Sequence, residues 1–300
     1  MDARASSPLR GIFWMLITGL CFVAVTALVK YLDNAVPAAQ AAFLRYVLGL
    51  VFLIPMWKVM RDTQLTRRHY TLFGARGVVH ALGVTAWFFA MTRIPIAEVT
   101  AMNYLSPVYV TLAAALFLGE KLAFRRILAV VAALVGALII LRPGFRELNI
   151  GHFAMIGTAL LFAGSYLFAK ITADEVPAAI VVAMLSIFVT IGLAPMALAV
   201  WVTPSLWALL VLFAVACFAT VGHYTMTLAF ASAPLTVTQP VTFLQLVWAV
   251  TLGAVVFGEP ADVWVIVGGC VILGSVIFLT IREAQLKRRG VTPSVHAPKT

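Results

Sequence analysis

The sequence is poor in charged residues, and poorest in acidic ones. Charged side chains make up 11% of its 300 residues, with 11 Asp and Glu against 21 Lys and Arg, whereas hydrophobic residues make up 63%. A soluble domain is about half apolar and about a quarter charged, so this composition excludes an ordinary soluble fold. Apolar runs of about twenty residues, the length that lets a helix cross a bilayer, recur along the chain. The sequence therefore predicts an all-α integral membrane protein.

Groups that perform covalent chemistry or bind metals are also scarce. The three cysteines, Cys21, Cys217 and Cys270, lie in apolar runs without a CxxC partner, which favours a packing role. The loops contain no HExxH sequence, no Asp-rich motif and no Ser/His/Asp set. We therefore expect no cofactor, no metal site and no enzymatic activity.

Ten transmembrane helices account for most of the chain. They are predicted at 11–32, 37–57, 70–91, 96–118, 125–141, 152–170, 177–200, 205–231, 235–257 and 263–281. A cytoplasmic N-terminus at 1–10, short loops and a basic cytoplasmic tail at 282–300 lie outside them. The first run is too long for the core of a signal peptide, so we expect it to remain as the first span.

The basic residues are distributed unevenly between the two sides of the membrane. With the N-terminus inside, fifteen Lys and Arg residues fall in cytoplasmic segments and four in external ones. Cytoplasmic loops carry such an excess, so both termini are predicted to be cytoplasmic. The same asymmetry accounts for the net charge of +10. The tail sequence Lys287-Arg288-Arg289 is accordingly expected to contact membrane lipids, and no nucleic acid is expected as a partner.

The chain partly repeats itself after 140 residues. Lys30 and Val36-Pro37-Ala38-Ala39 align without a gap with Lys170 and Val176-Pro177-Ala178-Ala179. The spans thus divide into two repeats of five helices, at 11–141 and 152–281. Because five is odd, the second repeat enters the membrane from the opposite side, and inverted repeats around a midplane site are a recurrent transporter architecture. A duplication retained only for packing is the alternative.

Two sets of sequence motifs, one in each half of the chain, resemble those of a known family. The first set comprises Arg76-Gly77 through Trp87-Phe88-Phe89-Ala90, then Ala97, Tyr104-Leu105-Ser106-Pro107-Val108 and Leu118-Gly119-Glu120. The second comprises Gly222-His223-Tyr224, Ala233-Pro234, Leu244-Gln245-Leu246-Val247-Trp248 and Phe257-Gly258-Glu259. In this order, within two repeats of five spans, they resemble the drug/metabolite transporter superfamily, EamA type. Gln245-Leu246 replaces Ser106-Pro107, so the role of that proline does not carry over.

The resemblance implies ten helices in two inverted repeats around a central cavity, in a bacterial inner membrane. Members of the family carry amino acids, amines, nucleosides, carboxylates and other metabolites. The family alone therefore leaves the substrate open.

Positively charged residues inside the spans are the first candidates for a binding site. Arg76, His80, Gly83 and Trp87 follow one another at steps of four, three and four, which places them on one helical face. Arg45 lies about 12 Å into the second span, at 1.5 Å per residue. Ionisable groups at this depth are costly and point to function, and guanidinium groups suit a carboxylate. Arginines bonded to helix carbonyls or reaching the headgroups are the alternative.

Uncharged and aromatic residues in other spans complete the predicted site. The substrate-binding candidates are Arg45, Arg76, His80, Trp87, Asn103, Tyr104, His223, Tyr224, Gln245 and Trp248. The aromatics lie well inside their spans, unlike interfacial aromatic residues, and would hold the apolar or cationic part of a ligand. Hydrogen bonding between helices is the alternative role for each polar residue.

If transport is coupled to protons, the sequence predicts that a histidine carries the step. His80 and His223 are the mid-span groups that titrate near neutrality, and no Asp or Glu occupies a mid-span position. Acidic residues such as Glu98, Glu120 and Glu259 lie at span ends, which argues against a buried carboxylate ion site. Glu120 and Glu259 are expected to be structural, capping helices or forming ion pairs, whereas Glu98 is the next candidate if neither histidine carries the proton. A neutral hydrogen-bonded histidine is the alternative for His223.

These features favour a secondary transporter of a small metabolite, either an amino acid or an organic acid, that works by alternating access of a central cavity. Import or export of a nucleoside, an amine or a drug-like cation is one alternative, and a non-transporting membrane enzyme is another. The expected partners are the small-molecule substrate and membrane lipids, with a homodimer left open.

Overall fold

The protein is built from helices. A computed structural model describes residues 8–118, 124–145, 147–173, 175–233, 238 and 241–291, and these residues contain no strand. The α-helices are α1 (Pro8–Leu32), α2 (Ala38–Gly49), α3 (Trp57–Asp62), α4 (Arg67–Met91), α5 (Ile96–Asn103), α6 (Leu105–Leu118), α7 (Phe124–Leu141), α8 (Ile150–Ala173), α9 (Ala178–Ala199), α10 (Leu206–Ser232), α11 (Phe243–Phe257) and α12 (Val263–Val291). A 3-10 helix, Leu50–Met56, joins α2 to α3.

Many of these helices are long and apolar enough to cross a membrane. Seven spans among the described residues meet that criterion: Leu9–Leu32, Ala38–Asp62, Arg67–Met91, Ile150–Phe168, Ala179–Ala199, Leu206–Met226 and Val263–Arg282. Two shorter apolar helices are Ile127–Leu141 and Leu244–Phe257. The chain is therefore a multi-pass, all-α membrane protein, as the sequence predicts.

Two predicted spans are broken rather than continuous. The second changes to 3-10 geometry after Gly49, and Pro55, which cannot donate a backbone hydrogen bond, lies inside that segment. The fourth is divided at Tyr104 between α5 and α6, so Pro107 falls in the first turn of α6, where a missing N–H is tolerated. The last helix continues ten residues beyond the predicted end at 281 and includes the basic Lys287-Arg288-Arg289 sequence.

The core lies between the two halves of the chain. The most extensive helix contacts in the described part pair α1 with α10, α4 with α8 and α7 with α12. Each pair joins the first half of the chain, up to residue 145, to the second half, from 147 onward. At the crossing of α7 and α12 the backbones touch, because a Cβ on Gly268 would lie 2.5 Å from the carbonyl oxygen of Gly136. Small residues permit such close approach in membranes.

Candidate functional site

His80 joins three helices through one buried imidazole. Its Nε2 lies 3.0 Å from the hydroxyl oxygen of Tyr46 on α2, and its Nδ1 lies 3.0 Å from Oγ of Ser165 on α8. The ring of His80 is therefore fixed from both sides. Because α2 and α4 belong to the first half and α8 to the second, His80 sits where the halves meet.

The two predicted arginines lie beside this imidazole in different environments. Arg76 donates from Nη1 to the carbonyl oxygen of Val181 on α9 at 3.1 Å and from Nε to Ser165 at 3.4 Å. The guanidinium of Arg45 instead lies over the Tyr46 ring, 4.3 Å from its centroid. No carboxylate in the described part of the chain pairs with either arginine. Arg76 is thus held by the protein, whereas Arg45 keeps donors available for a ligand.

Phe162 of α8 connects the remaining members of the α4 face. His80 stacks on it at 4.9 Å between centroids, and Trp87 meets it edge-on at 6.2 Å. Gly83 permits this approach, since a Cβ there would lie 2.9 Å from the Phe162 ring. Tyr166, one turn further along α8, is 45% exposed and its ring lies 6.3 Å from that of Phe162. The α4 face predicted from sequence is thus a row of aromatic rings beside two cations.

Three buried polar atoms near the break in the fourth span and on α4 lack hydrogen-bond partners. Nε1 of Trp87, Oδ1 of Asn103 and Oγ of Ser106 have none among the described residues. A buried polar group left unsatisfied costs about 1–3 kcal/mol. Trp87 therefore offers a free donor and Asn103 a free acceptor to water or to a ligand.

The broken fourth span contacts the second half at its break. The hydroxyl of Tyr104 donates to the carbonyl oxygen of Thr242, just before α11, at 2.8 Å. Broken helices of this kind build substrate sites in many transporters, because their free backbone groups face a cavity. Tyr104 is therefore bonded to protein, which supports a positioning role more than a direct ligand contact.

The remaining candidates predicted from the sequence have no described contact with the cluster of side chains around His80. They are His223, Tyr224, Gln245 and Trp248. His223 on α10 meets the ring of Phe22 on α1 edge-on, with 5.2 Å between the ring centroids. Tyr224 is 65% exposed and contributes no contact described above. Gln245 and Trp248 pack on α1, where a Cβ on Gly19 would lie 2.9 Å from the Trp248 ring.

Three residues whose side chains contact His80 were not predicted from the sequence: Tyr46, Phe162 and Ser165. A signal for two of them is present in the sequence, because Phe162, Ser165 and Tyr166 are spaced at i, i+3 and i+4 and share one face of α8. Tyr46 follows Arg45 directly and could only be identified from its contact with His80.

Polar contacts between the halves also close the predicted external face, where α1 ends and α12 begins. Glu259 forms an ion pair with Lys30 and accepts a hydrogen bond from the backbone N–H of Ile96 at 2.9 Å. Arg142 pairs with Asp262. The capping and pairing role predicted for Glu259 is thus present, although the helix that it caps belongs to the other half. Glu120 and the side chain of Lys170 lie outside the described residues.

A smaller group of contacts joins the halves at the predicted cytoplasmic face. Glu175, between α8 and α9, lies 2.9 Å from Nε2 of His69 and also binds Arg68 at the start of α4. Hydrogen bonds lower the pKa of Glu175 below its usual value, and the bond from Arg68 has a larger effect than the bond from His69. Glu175 therefore stays ionised through the physiological pH range.

Comparison with known proteins defines the class of protein to which this fold and site belong. The model of the EamA-like transporter family matches residues 9–142 and, a second time, residues 149–281. The chain therefore belongs to the EamA-like transporter family, within the drug/metabolite transporter superfamily.

Individual relatives are similar along nearly their whole length. A riboflavin transporter of Rhizobium johnstonii is 33% identical over 298 residues, covering 96% of this chain and 97% of that protein. An S-adenosylmethionine uptake transporter of Rickettsia prowazekii is 24% identical, covering 95% and 97%. One solved crystal structure superposes with a TM-score of 0.62 over 94% of this chain and 100% of the other, and its 17% identity shows likeness of fold alone. The protein is a small-metabolite transporter.

Proposed function

We propose that the protein is a secondary transporter that carries a planar heteroaromatic metabolite by alternating access. The observation that carries this proposal is the row of rings formed by His80, Phe162 and Trp87, which Tyr46 connects to the cation of Arg45. Aromatic rings pair with a flat ligand by stacking or edge contact, worth about 0.5–1.5 kcal/mol per pair beyond area burial. The guanidinium and the free Trp87 Nε1 supply donors for oxygen or nitrogen acceptors on such a ligand.

The substrates named for the relatives share this chemistry. Riboflavin and S-adenosylmethionine both contain a planar nitrogen heterocycle and a hydroxylated substituent. A site that combines aromatic rings with guanidinium and indole donors fits that combination, because the heterocycle can stack while its polar edge binds donors. Riboflavin is therefore the first substrate to test.

Alternating access is supported by the arrangement of the two halves. The family model matches the two halves separately, and the sequence repeats after 140 residues with an odd number of predicted spans between the copies. Polar contacts join the halves at both ends of the bundle, through Glu259 at one and Glu175 at the other. We propose ten spans in two inverted repeats, in a bacterial inner membrane with both termini in the cytoplasm. Opening one set of contacts while the other remains closed would expose the site to one side at a time.

A carboxylate-bearing solute, such as an amino acid or an organic acid, is the second candidate. The observation that favours it is Arg45, a buried guanidinium with no carboxylate partner in the described part of the chain. Charge-assisted, bidentate bonds to a ligand carboxylate would satisfy it.

Uptake into proteoliposomes distinguishes the two candidates. We expect purified protein to carry labelled riboflavin saturably, with counterflow, and planar heterocycles to compete whereas aliphatic carboxylates do not. Competition by amino acids or organic acids alone would support the second candidate. Unsaturable flux would indicate a channel and would contradict both.

A ring substitution tests the site itself. Phe162→Leu keeps most of the volume and removes the ring, so we expect the KM for riboflavin to rise roughly two- to tenfold, the range of one aromatic pair. Phe213→Leu is the matched control, because Phe213 stacks on Phe52 outside the cluster. An unchanged KM in folded Phe162→Leu protein would contradict this site.

A further inference from the structure

A chain of hydrogen bonds runs through the buried side chains around His80 and ends at Tyr46. Nε of Arg76 donates to Oγ of Ser165 at 3.4 Å. The same oxygen lies 3.0 Å from Nδ1 of His80, and Nε2 of His80 lies 3.0 Å from the hydroxyl oxygen of Tyr46. All four side chains are more than nine-tenths buried. The direction of each bond therefore decides which polar hydrogen is left for a ligand.

The two bonds made by His80 cannot use every polar hydrogen in this chain. Ser165 and Tyr46 each carry one hydroxyl hydrogen, and a neutral imidazole carries one N–H. Three hydrogens are thus available for two bonds, and Arg76 accepts none of them because a guanidinium can only donate. A charged imidazole would only add to the surplus. One hydroxyl is therefore left without an acceptor inside the chain, and in a neutral ring the tautomer of His80 decides which one.

The surroundings of the two hydroxyls assign the surplus hydrogen to Tyr46. Ser165 is fully buried and receives the N–H of Arg76. Unlike Ser186, which donates to a carbonyl of its own helix at 3.2 Å, it bonds to no helix carbonyl in the described structure. Its O–H therefore donates to Nδ1 of His80, because the reverse direction would leave that hydroxyl buried without an acceptor, which is costly. Nε2–H of His80 then donates to Tyr46, whose own O–H keeps no acceptor among the described residues.

We propose that Tyr46 is a specificity-determining residue whose hydroxyl, oriented by the hydrogen bonds of His80 and Ser165, donates to a carbonyl oxygen on the heterocycle of the substrate. The inference rests on the transport function proposed above and narrows its substrate class to oxo-substituted heterocycles. Ser165 and His80 act on this bond through Tyr46 and are positioning residues for it.

A second free donor beside Tyr46 favours a carbonyl oxygen over other acceptors. The guanidinium of Arg45 lies over the Tyr46 ring, 4.3 Å from its centroid, and donates to no group in the described part of the chain. A carbonyl oxygen has two lone pairs and can accept from both donors, whereas a ring nitrogen has one. An amine or a cation would meet donors and a positive charge, so the site disfavours the amines and drug-like cations that the sequence left open.

Analogues of riboflavin that lose one acceptor but keep the flat ring test which atom is bound. Each monothio analogue replaces one ring carbonyl oxygen with sulfur, a weak acceptor, and each deaza analogue replaces one ring nitrogen with carbon. In proteoliposomes containing the wild-type protein, we expect one monothio analogue to have a KM roughly two- to tenfold above that of riboflavin, the range of a neutral hydrogen bond. The deaza analogues should have the KM of riboflavin.

Substitutions then assign the bond to Tyr46. Tyr46→Phe keeps the ring under Arg45 and removes the hydroxyl, so it should raise the KM for riboflavin roughly two- to tenfold but change the KM for the disfavoured thio analogue less. Ser165→Ala should raise the KM for riboflavin in the wild-type background but not further in Tyr46→Phe protein, because Ser165 acts through Tyr46. Tyr31→Phe is the matched control, since Tyr31 is 59% exposed and its ring meets Trp207 outside the cluster.

A measurement without substrate separates this inference from the proposed function. ¹⁵N NMR of histidine-labelled protein reads the tautomer of His80, whose signals are identified by their loss in His80→Gln. A proton on Nε2 with Nδ1 unprotonated supports the orientation of Tyr46, and the reverse tautomer overturns it. Absence of riboflavin transport in wild-type protein counts against the proposed substrate and leaves this test in place.

The transport data can also overturn the inference where riboflavin is carried. An equal KM for riboflavin and both monothio analogues, discrimination against the deaza analogues alone, or an unchanged KM in folded Tyr46→Phe protein would each do so. A rise in KM for riboflavin in Tyr31→Phe equal to that in Tyr46→Phe would do the same, because the effect would then not depend on the site.

Discussion

Arg45 and Arg76 look equivalent in the sequence but have different surroundings in the folded chain. Arg76 bonds to Val181 and Ser165, so it joins α4 to α8 and α9. Arg45 rests on the Tyr46 ring. The alternative of an arginine bonded to helix carbonyls, which the sequence left open, thus applies to Arg76. Arg45 is the better candidate for a ligand contact.

Alanine substitutions should separate these two roles. Arg45→Ala should weaken the apparent affinity for substrate by about 1.5–3 kcal/mol, the range of a charged hydrogen bond, which is roughly tenfold or more. Arg76→Ala should mainly lower the melting temperature of the purified protein, because it removes the hydrogen bonds that join α4 to Ser165 of α8 and Val181 of α9. Transport kinetics and thermal unfolding measured on both variants check this. Full transport by a folded double variant would refute a role for either arginine.

At the level of helices, local patterns predict most ends and also mark the breaks. The apolar runs place most helix ends within about three residues, because length and hydropathy are local properties. Pro55 lies in the 3-10 segment, and Pro107 cannot donate a backbone hydrogen bond to Asn103, the residue four positions earlier at which α5 ends. The hydrogen bond from Tyr104 to Thr242, in contrast, joins the two halves and is not contained in a local pattern. The α4 face was predictable from its spacing, whereas its partners Tyr46 and Phe162 come from other helices and required the fold.

The crossing of α7 and α12 gives a stability prediction. Gly268→Ala places a Cβ 2.5 Å from the carbonyl oxygen of Gly136, and a backbone carbonyl cannot move aside cheaply. We expect overpacking of about 1–3 kcal/mol and a lower melting temperature in detergent. Gly274→Ala on the same helix is the control, since nothing lies within 4 Å of its Cβ. Alanine favours a helix over glycine, so the control should be neutral or stabilised, and equal behaviour of the two variants would contradict the close crossing.

For the whole molecule, the orientation in the membrane determines which face each polar contact occupies. The distribution of basic residues predicts both termini inside. Reporter fusions after Phe145 and after Arg289 should therefore report outside and inside, respectively. The opposite pair of signals would reverse the assignment of the Lys30–Glu259 face to the exterior.

The Glu259 contacts also set an order of events during synthesis of the chain. Lys30 and the backbone N–H of Ile96 enter the membrane early, yet the carboxylate that satisfies them lies in the last part of the chain, 163 residues after Ile96. Polar groups without partners are costly in lipid, so water, headgroups or the insertion machinery must cover them meanwhile. The first half of the chain can insert as the ribosome delivers it, but its packing is completed only after residue 259 has emerged. A nascent chain arrested before that residue should be inserted yet remain readily digested by protease.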